Sequence, residues 1–189
     1  MGEDLDYKDD SVRIKKMVLA ALFAALIAVG AYIKIPITPL GVPITLQTFF
    51  VLLAAVTLGR NWGTVSIIVY LIVGFIGFPV FAGGNSGLGI LFGPTGGYLY
   101  SFIFVAFLAG WMSDLAKNKN PVTMFGIAAF GSILILAVGS VHLGLSTDIP
   151  MGVAFTGGFV PFFVGDMIKS IAIGLVAPAL IKKVNFSAS

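Results

Sequence analysis

Between Arg60 and Asp114 lie 53 consecutive residues without an Asp, Glu, Lys or Arg, and between Lys119 and Asp148 lie another 28. A soluble domain has about 25% charged residues, whereas this chain has 10%, against 58% hydrophobic residues. A bilayer-crossing helix needs about 20 largely apolar residues, so the first gap has room for two crossings and the second for one. The chain therefore reads as a polytopic membrane protein. That reading sets aside nucleic-acid binding, a cytosolic enzyme and a secreted disulfide scaffold together. The absence of Cys removes disulfides, thiolate catalysis and Cys-based metal sites.

Apolar runs bounded by charge, Gly or Pro predict six spans at 17–34, 44–59, 64–82, 97–115, 122–143 and 156–181. The expected fold class is an all-α integral membrane protein, a bundle of six transmembrane helices with a Gly-rich external loop between helices 3 and 4. Its parts are an N-terminal arm (1–16), a membrane domain (17–183) and a tail (184–189). The arm is acidic, and Asp6-Tyr7-Lys8-Asp9-Asp10 resembles the start of a common epitope tag, so no function is read from it. An acidic start without a small-residue cleavage site is wrong for a cleaved signal peptide, and the stretch from Met17 is expected to be a retained span.

With six spans, both termini and the even-numbered connections share one side. That side holds Arg13, Lys15, Lys16, Arg60, Lys117, Lys119, Lys182 and Lys183, and the other holds only Lys34. The positive-inside rule then places both termini in the cytoplasm of a multi-pass cell-membrane protein. No Gly-Lys dipeptide occurs, so there is no P-loop, and ATP-driven work must come from a partner.

One pair of ionisable residues, Asp166 and Lys169, lies within a predicted span. Each costs about 2.5–3.5 kcal/mol at a helix centre, and intramembrane charge marks function by default. At i,i+3 spacing they share a helix face, either as an ion pair locking the sixth helix or as a polar patch on a ligand cavity. The second reading is preferred. Asp166 precedes Lys182 by 16 residues, or about 24 Å of helix, which puts the pair in the outer half and opens the cavity outward.

The external run from Gly83 to Gly97 has seven Gly in 15 residues and no charge. It is too apolar for water and too Gly-rich for a good helix. Irregular backbone at membrane depth must be buried in protein or line a cavity, so this run is read as a re-entrant lid with Asn85 pointing inward. Gln47, at the outer end of the second span, suits ligand contact or a helix–helix hydrogen bond equally. Lys34 reads as a snorkelling interfacial residue. His142, the single His, reads as packing near the outer end of the fifth helix and not as a metal ligand. In the first span Ala20, Ala21, Ala24, Ala25 and Ala28 form overlapping small-xxx-small pairs, which allow close helix approach, within the bundle or to a separate membrane subunit.

Three segments carry a resemblance: Val42-Pro43-Ile44-Thr45-Leu46-Gln47-Thr48, Gly77-Phe78-Pro79-Val80-Phe81-Ala82-Gly83-Gly84 and Gly93-Pro94-Thr95-Gly96-Gly97-Tyr98. In this order they resemble the BioY family, the biotin-specific substrate-capture subunits (S components) of energy-coupling factor (ECF) transporters, and the similarity runs from the first span to the sixth. The resemblance implies capture of biotin from outside, with no other cofactor, no metal and no catalysis. It also implies docking on a membrane coupling subunit and two ATPase subunits that power inward release. Asn85 and Asp166 then resemble the ureido-ring contacts, Lys169 the partner of the valerate carboxylate, and Gln47 and Tyr98 complete the ligand set. The urea chemistry fits, since a carboxylate accepts from its two N–H groups and an amide donates to its carbonyl. The Ala pairs resemble the docking motif for the coupling subunit. Some relatives carry an Arg where this chain has Leu99.

Two other classes compete. Gly84-Asn85-Ser86-Gly87 has the Gly-x-Ser-Gly form of rhomboid intramembrane proteases, with His142 as the base of a Ser–His dyad, but this leaves Asp166 and Lys169 unexplained. A self-sufficient small-molecule carrier or channel is the other.

Overall fold

The computed structural model describes residues 2–35, 40 and 42–184, with side chains described from Asp10 onward apart from the gaps. The residues of the expected tail beyond Val184 and the side chains of the first nine residues of the expected arm lie outside this set. Helix α1 (Gly2–Tyr32) runs through the expected boundary at residue 16 without a break. A two-residue hairpin follows, β1 (Lys34–Ile35) pairing antiparallel with β2 (Ile44–Thr45) in the register Lys34↔Thr45. This hairpin is strand where only helices and loops were expected. Then come α2 (Gln47–Phe75), a 3-10 turn at Leu88–Phe92, α3 (Gly96–Leu115), α4 (Pro121–Ser146), α5 (Met151–Gly158) and α6 (Val160–Val184).

Among the described residues, five helical stretches are long and apolar enough to cross a membrane: Asp10–Tyr32, Gln47–Phe75, Gly96–Leu115, Pro121–Ser146 and Met151–Val184. The second is not straight. Gly59 has φ 75° and ψ −178°, a region open essentially to Gly alone. Across this break Gln47 Nε2 donates to Tyr70 Oη at 2.5 Å, although 23 residues of straight helix would separate them by about 35 Å. The two arms of α2 therefore fold back on each other. The break occurs where the charge pattern placed a turn, at Gly59-Arg60. Asp114 from the end of α3 holds it, its Oδ2 accepting from the Arg60 N–H at 3.0 Å. A Cβ on Gly59 would lie 2.4 Å from Asp114 Oδ1.

Close approaches set the direction of each helix. Gly30 of α1 meets Leu46, at the same end as Gln47 and Tyr70, while Gly110 of α3 meets Arg60 and Gly174 of α6 meets Pro121. Gly97 at the start of α3 meets His142 near the end of α4. Arg60, Lys117, Lys119 and Lys182 thus gather at one end, and Gln47, Asn85, Tyr98 and Asp166 lie toward the other.

The interior is apolar and threaded with small polar residues. Ser113 Oγ donates to Val56 O at 2.7 Å, joining α3 to α2, and Ser132 Oγ sits 3.2 Å from Ser170 Oγ, joining α4 to α6. The exterior is apolar too, with Phe104 70%, Leu175 67% and Ile168 63% exposed. Large apolar patches on a water-soluble monomer are rare, so this surface suits hydrocarbon.

Two expected boundaries shift. Helix α2 ends at Phe75, well short of residue 82, where Gly77 takes φ 113° just past its last turn. The expected helix 156–181 is instead two, broken at Phe159 after Gly157-Gly158. Pro161 then falls in the first turn of α6, where its missing N–H costs nothing.

Candidate functional site

Asp166 lies on the second turn of α6, and Lys169 projects from the same face. Lys169 Nζ donates to Asp166 Oδ1 at 2.6 Å, Thr48 Oγ1 at 3.0 Å and Thr45 O at 2.7 Å. Thr48 Oγ1 in turn donates to Asp166 Oδ1 at 3.1 Å. An ammonium has three N–H donors, and here each meets a protein acceptor. The pair therefore ties α6 to the β2–α2 junction, which makes the locking role real.

It does not account for all of Asp166. This residue is 2% exposed, and its Oδ2 is buried without a hydrogen-bond partner in the described structure. A buried acceptor left unpaired costs about 1–3 kcal/mol, more when charged. Asp166 faces a cavity that opens to the surface. Phe81, Leu99, Phe102, Leu136 and Phe162 supply an apolar lining, and the polar lining comes from Thr45, Gln47, Thr48, Asn85, Thr95, Tyr98, Asp166 and Lys169. All five ligand residues expected from the sequence thus reach one cavity.

Their hydrogen bonds differ. Gln47 is 4% exposed, and both polar atoms of its amide are bonded, Nε2 donating to Tyr70 and Oε1 accepting from Thr45 Oγ1 at 3.0 Å. Tyr70 Oη donates to Val80 O at 3.2 Å, so this chain of bonds holds the loop after α2 against the start of α2. Tyr98 Oη donates to Gly158 O at 2.8 Å, which binds α3 to the α5–α6 break and turns the ring toward the cavity. Gly139 makes room for that ring, since a Cβ there would lie 2.2 Å from Tyr98 Cδ1. Asn85 is exposed at the rim, and Nδ2 donates to Ala82 O at 2.8 Å, leaving its second N–H for another acceptor. Thr45 and Thr48 were not assigned from the sequence. Their signal was a Thr-x-Gln-Thr cluster opening an apolar span, where hydroxyls have little reason to be.

The Gly-rich run walls one side of the cavity through Asn85, Ile90 and Thr95, while Leu88 and Phe92 on its 3-10 turn are 60% and 77% exposed. Lys34 Nζ lies against Gly83 of this run, 2.9 Å from where a Cβ would be. The Ala residues of α1 divide: Ala20 and Ala24 are buried in the chain's own core, Ala28 is half-buried, and Ala21 and Ala25 face outward. A surface partner can therefore reach Ala21 and Ala25 but not Ala20 or Ala24. The Ser–His dyad fails. His142 Nε2 sits 3.1 Å from Gly93 O, its ring meets Tyr100 edge-on, and no hydrogen bond joins it to Ser86 among the described residues.

Comparison with known proteins agrees with this geometry. The chain is 40% identical over 169 residues to the biotin transporter BioY of Thermotoga maritima, covering 89% of this chain and 97% of the relative. It is 38% identical to the biotin transporter BioY2 of Lactococcus lactis subsp. cremoris, covering 93% and 94%. Its fold matches the crystal structure of the S-component for biotin from an ECF-type ABC transporter, with a TM-score of 0.82 at 31% identity, covering 90% of this chain and 92% of that one. Residues 6–186 match the sequence profile of the BioY family, and the chain belongs to that family.

Proposed function

We propose that this chain is the biotin-capturing subunit of an ECF transporter, with Asp166 as the acceptor for the ureido ring. The observation that carries the reading is Asp166 Oδ2, a buried carboxylate oxygen without a partner in the wall of a mostly apolar cavity. It calls for a neutral ligand head that donates hydrogen bonds, and a urea has two such N–H groups and one carbonyl acceptor. The free N–H of Asn85 is suited to that carbonyl, Tyr98 and Phe162 to the apolar ring flank, and Gln47 to holding the wall in place through Tyr70. Relatives that cover nearly the same length are biotin transporters. The chain is a transporter subunit and not an enzyme.

The reversal at Gly59 supports six membrane crossings drawn from the five apolar stretches, with both termini at the Arg60–Lys117–Lys182 end. The positive-inside rule makes that end cytoplasmic and the cavity external. The Gly-rich run then acts as the lid of the site. Energy comes from outside the chain, through a membrane coupling subunit that carries two ATPases and docks on the outward face of α1 at Ala21 and Ala25.

Asp166→Asn replaces one acceptor by a donor at nearly constant volume. If Asp166 accepts ureido hydrogen bonds, biotin binding to the purified variant weakens by at least about 1–3 kcal/mol. Unchanged affinity returns Asp166 to a purely structural role.

A further inference from the structure

Three lysines meet at the end of the molecule away from the ligand cavity. Lys117 and Lys119 come from the α3–α4 connection and Lys182 from the last turn of α6, and with Asn120, Pro121 and Pro178 they line an open pocket. They converge because α4 and α6 touch there: a Cβ on Gly174 would lie 2.7 Å from Pro121 O and 2.9 Å from Phe125 Cβ. Among the described residues none of the three lysines is paired with a carboxylate, whereas Lys169 is paired with Asp166. Lys119 is half-buried, and Lys117 and Lys182 are exposed. Asn120 Oδ1 accepts from the Thr123 N–H at 2.8 Å, so its amide N–H groups remain as donors at the same rim.

Like charges gathered around one pocket repel, and the positive-inside rule needs them only on one side of the membrane, not together. The pocket therefore suits an anion, and its surroundings say which kind. On α6, Ile171, Leu175, Pro178 and Lys182 recur at helical spacing and share one face. Ile171 and Leu175 are 51% and 67% exposed, and Val122, beside Pro121 at the mouth, is 77% exposed. Ile171 precedes Lys182 by 11 residues, about 16 Å of helix, which matches half of a hydrocarbon core about 30 Å thick. A soluble phosphate has no use for this stripe, whereas an acyl chain can lie along it.

We propose that this pocket binds the headgroup phosphate of an anionic phospholipid from the adjacent leaflet, with Lys117, Lys119 and Lys182 around the phosphate and an acyl chain along Ile171 and Leu175. Basic pockets between transmembrane helices on the cytoplasmic side hold acidic headgroups in this way. The site rests on the convergence of charge and exposed apolar surface, and it is independent of the biotin reading. A lipid held here ties the α3–α4 connection to the end of α6, at the opposite end from Asp166.

The test is native mass spectrometry of the full chain in neutral detergent, titrated with dioleoyl phosphatidylglycerol, dioleoyl phosphatidylcholine and the soluble headgroup glycerophosphoglycerol. Wild type should retain one phosphatidylglycerol at least about tenfold more tightly than phosphatidylcholine or the soluble headgroup. Lys182→Gln should weaken phosphatidylglycerol about fivefold, and Lys182→Arg should keep it. Replacing Lys117, Lys119 and Lys182 together by Gln should abolish the preference over phosphatidylcholine. Lys183→Gln removes the same charge from a residue outside the pocket lining and should change binding less than about twofold. The assignment is overturned if Lys183→Gln weakens the lipid as much as Lys182→Gln, since the attraction is then diffuse. It is also overturned if wild type does not distinguish the two lipids, or if glycerophosphoglycerol binds as tightly as the lipid, which would make this a soluble-phosphate site. Undiminished lipid binding by the triple variant overturns it as well, and loss of the coupling subunit from that variant would assign the lysines to an acidic segment of the partner.

Discussion

Gly59→Ala tests the hairpin of α2, on which the count of crossings depends. Two costs are visible. The backbone at φ 75°, ψ −178° belongs to a region that an L side chain occupies at about 1–3 kcal/mol. The new Cβ would also lie 2.4 Å from Asp114 Oδ1, so the carboxylate must swing away from the Arg60 N–H that it now holds at 3.0 Å. A hydrogen bond to a charged group contributes about 1.5–3 kcal/mol, which brings the expected destabilisation to about 2.5–6 kcal/mol. Equilibrium unfolding in mixed micelles, followed by Trp62 and Trp111 fluorescence, would measure it. In an Asp114→Ala background the clash and the bond are both gone, so Gly59→Ala should cost only the backbone part there, about 1–3 kcal/mol. Gly126→Ala, an exposed helical position where a Cβ meets nothing within 4 Å, serves as a control and should stabilise by about 0.5–1 kcal/mol. A Gly59→Ala cost below about 0.5 kcal/mol, within the range of ordinary surface substitutions, would refute the tight reversal. An equal cost in both backgrounds would refute the role of Asp114.

Other perturbations probe separate parts of the structure. Gly139→Ala puts a Cβ 2.2 Å from the Tyr98 ring and should displace it from Gly158 O, lowering biotin affinity at least tenfold in a binding assay while the protein still elutes as a single species. Ala21→Trp and Ala25→Trp project outward, so biotin binding should persist while co-purification with the coupling subunit is lost. Ala20→Trp, with 2% exposure at the wild-type residue, should instead destabilise the bundle itself, as seen in a lower thermal midpoint without partner present. Ser86→Ala should leave biotin affinity within twofold of wild type, and a marked loss would reopen a role for that hydroxyl.

Much of this architecture was readable because charge is so costly in a bilayer. The Arg60 turn appeared where the charge pattern put it, at the break at Gly59. The same logic singled out Asp166 and Lys169, which meet as an ion pair at 2.6 Å. What was hidden depends on contacts between residues far apart in the chain. The end of α2 at Phe75 coincides with Gly77 at φ 113°, and the hydropathy of residues 76–82 alone cannot distinguish that loop from helix. The break at Phe159 is held partly by Tyr98, 61 positions away in the chain, through the Gly158 carbonyl. The saturation of Lys169 depends on Thr45 and Thr48, and on the carbonyl of Thr45 no side-chain pattern reports. The split of the Ala stripe is likewise a matter of rotation about α1, which its regular spacing leaves undetermined.

The chemistry of the site then follows from one imbalance. Asp166 Oδ1 is doubly satisfied and Oδ2 is not, within a cavity whose remaining walls are mainly aromatic and aliphatic. A donor-bearing ring that fills the apolar space and pairs Oδ2 gains both terms together, whereas water gains only the second. Selectivity for a fused, neutral, donor-rich head is the expected consequence.

The most direct measurement is saturation binding of labelled biotin to the purified wild-type chain in detergent, without any partner subunit. Saturable one-to-one binding with a Kd below about 1 µM, a binding free energy beyond about −8.2 kcal/mol, is the predicted result. No saturable uptake at that concentration would contradict biotin capture by this chain.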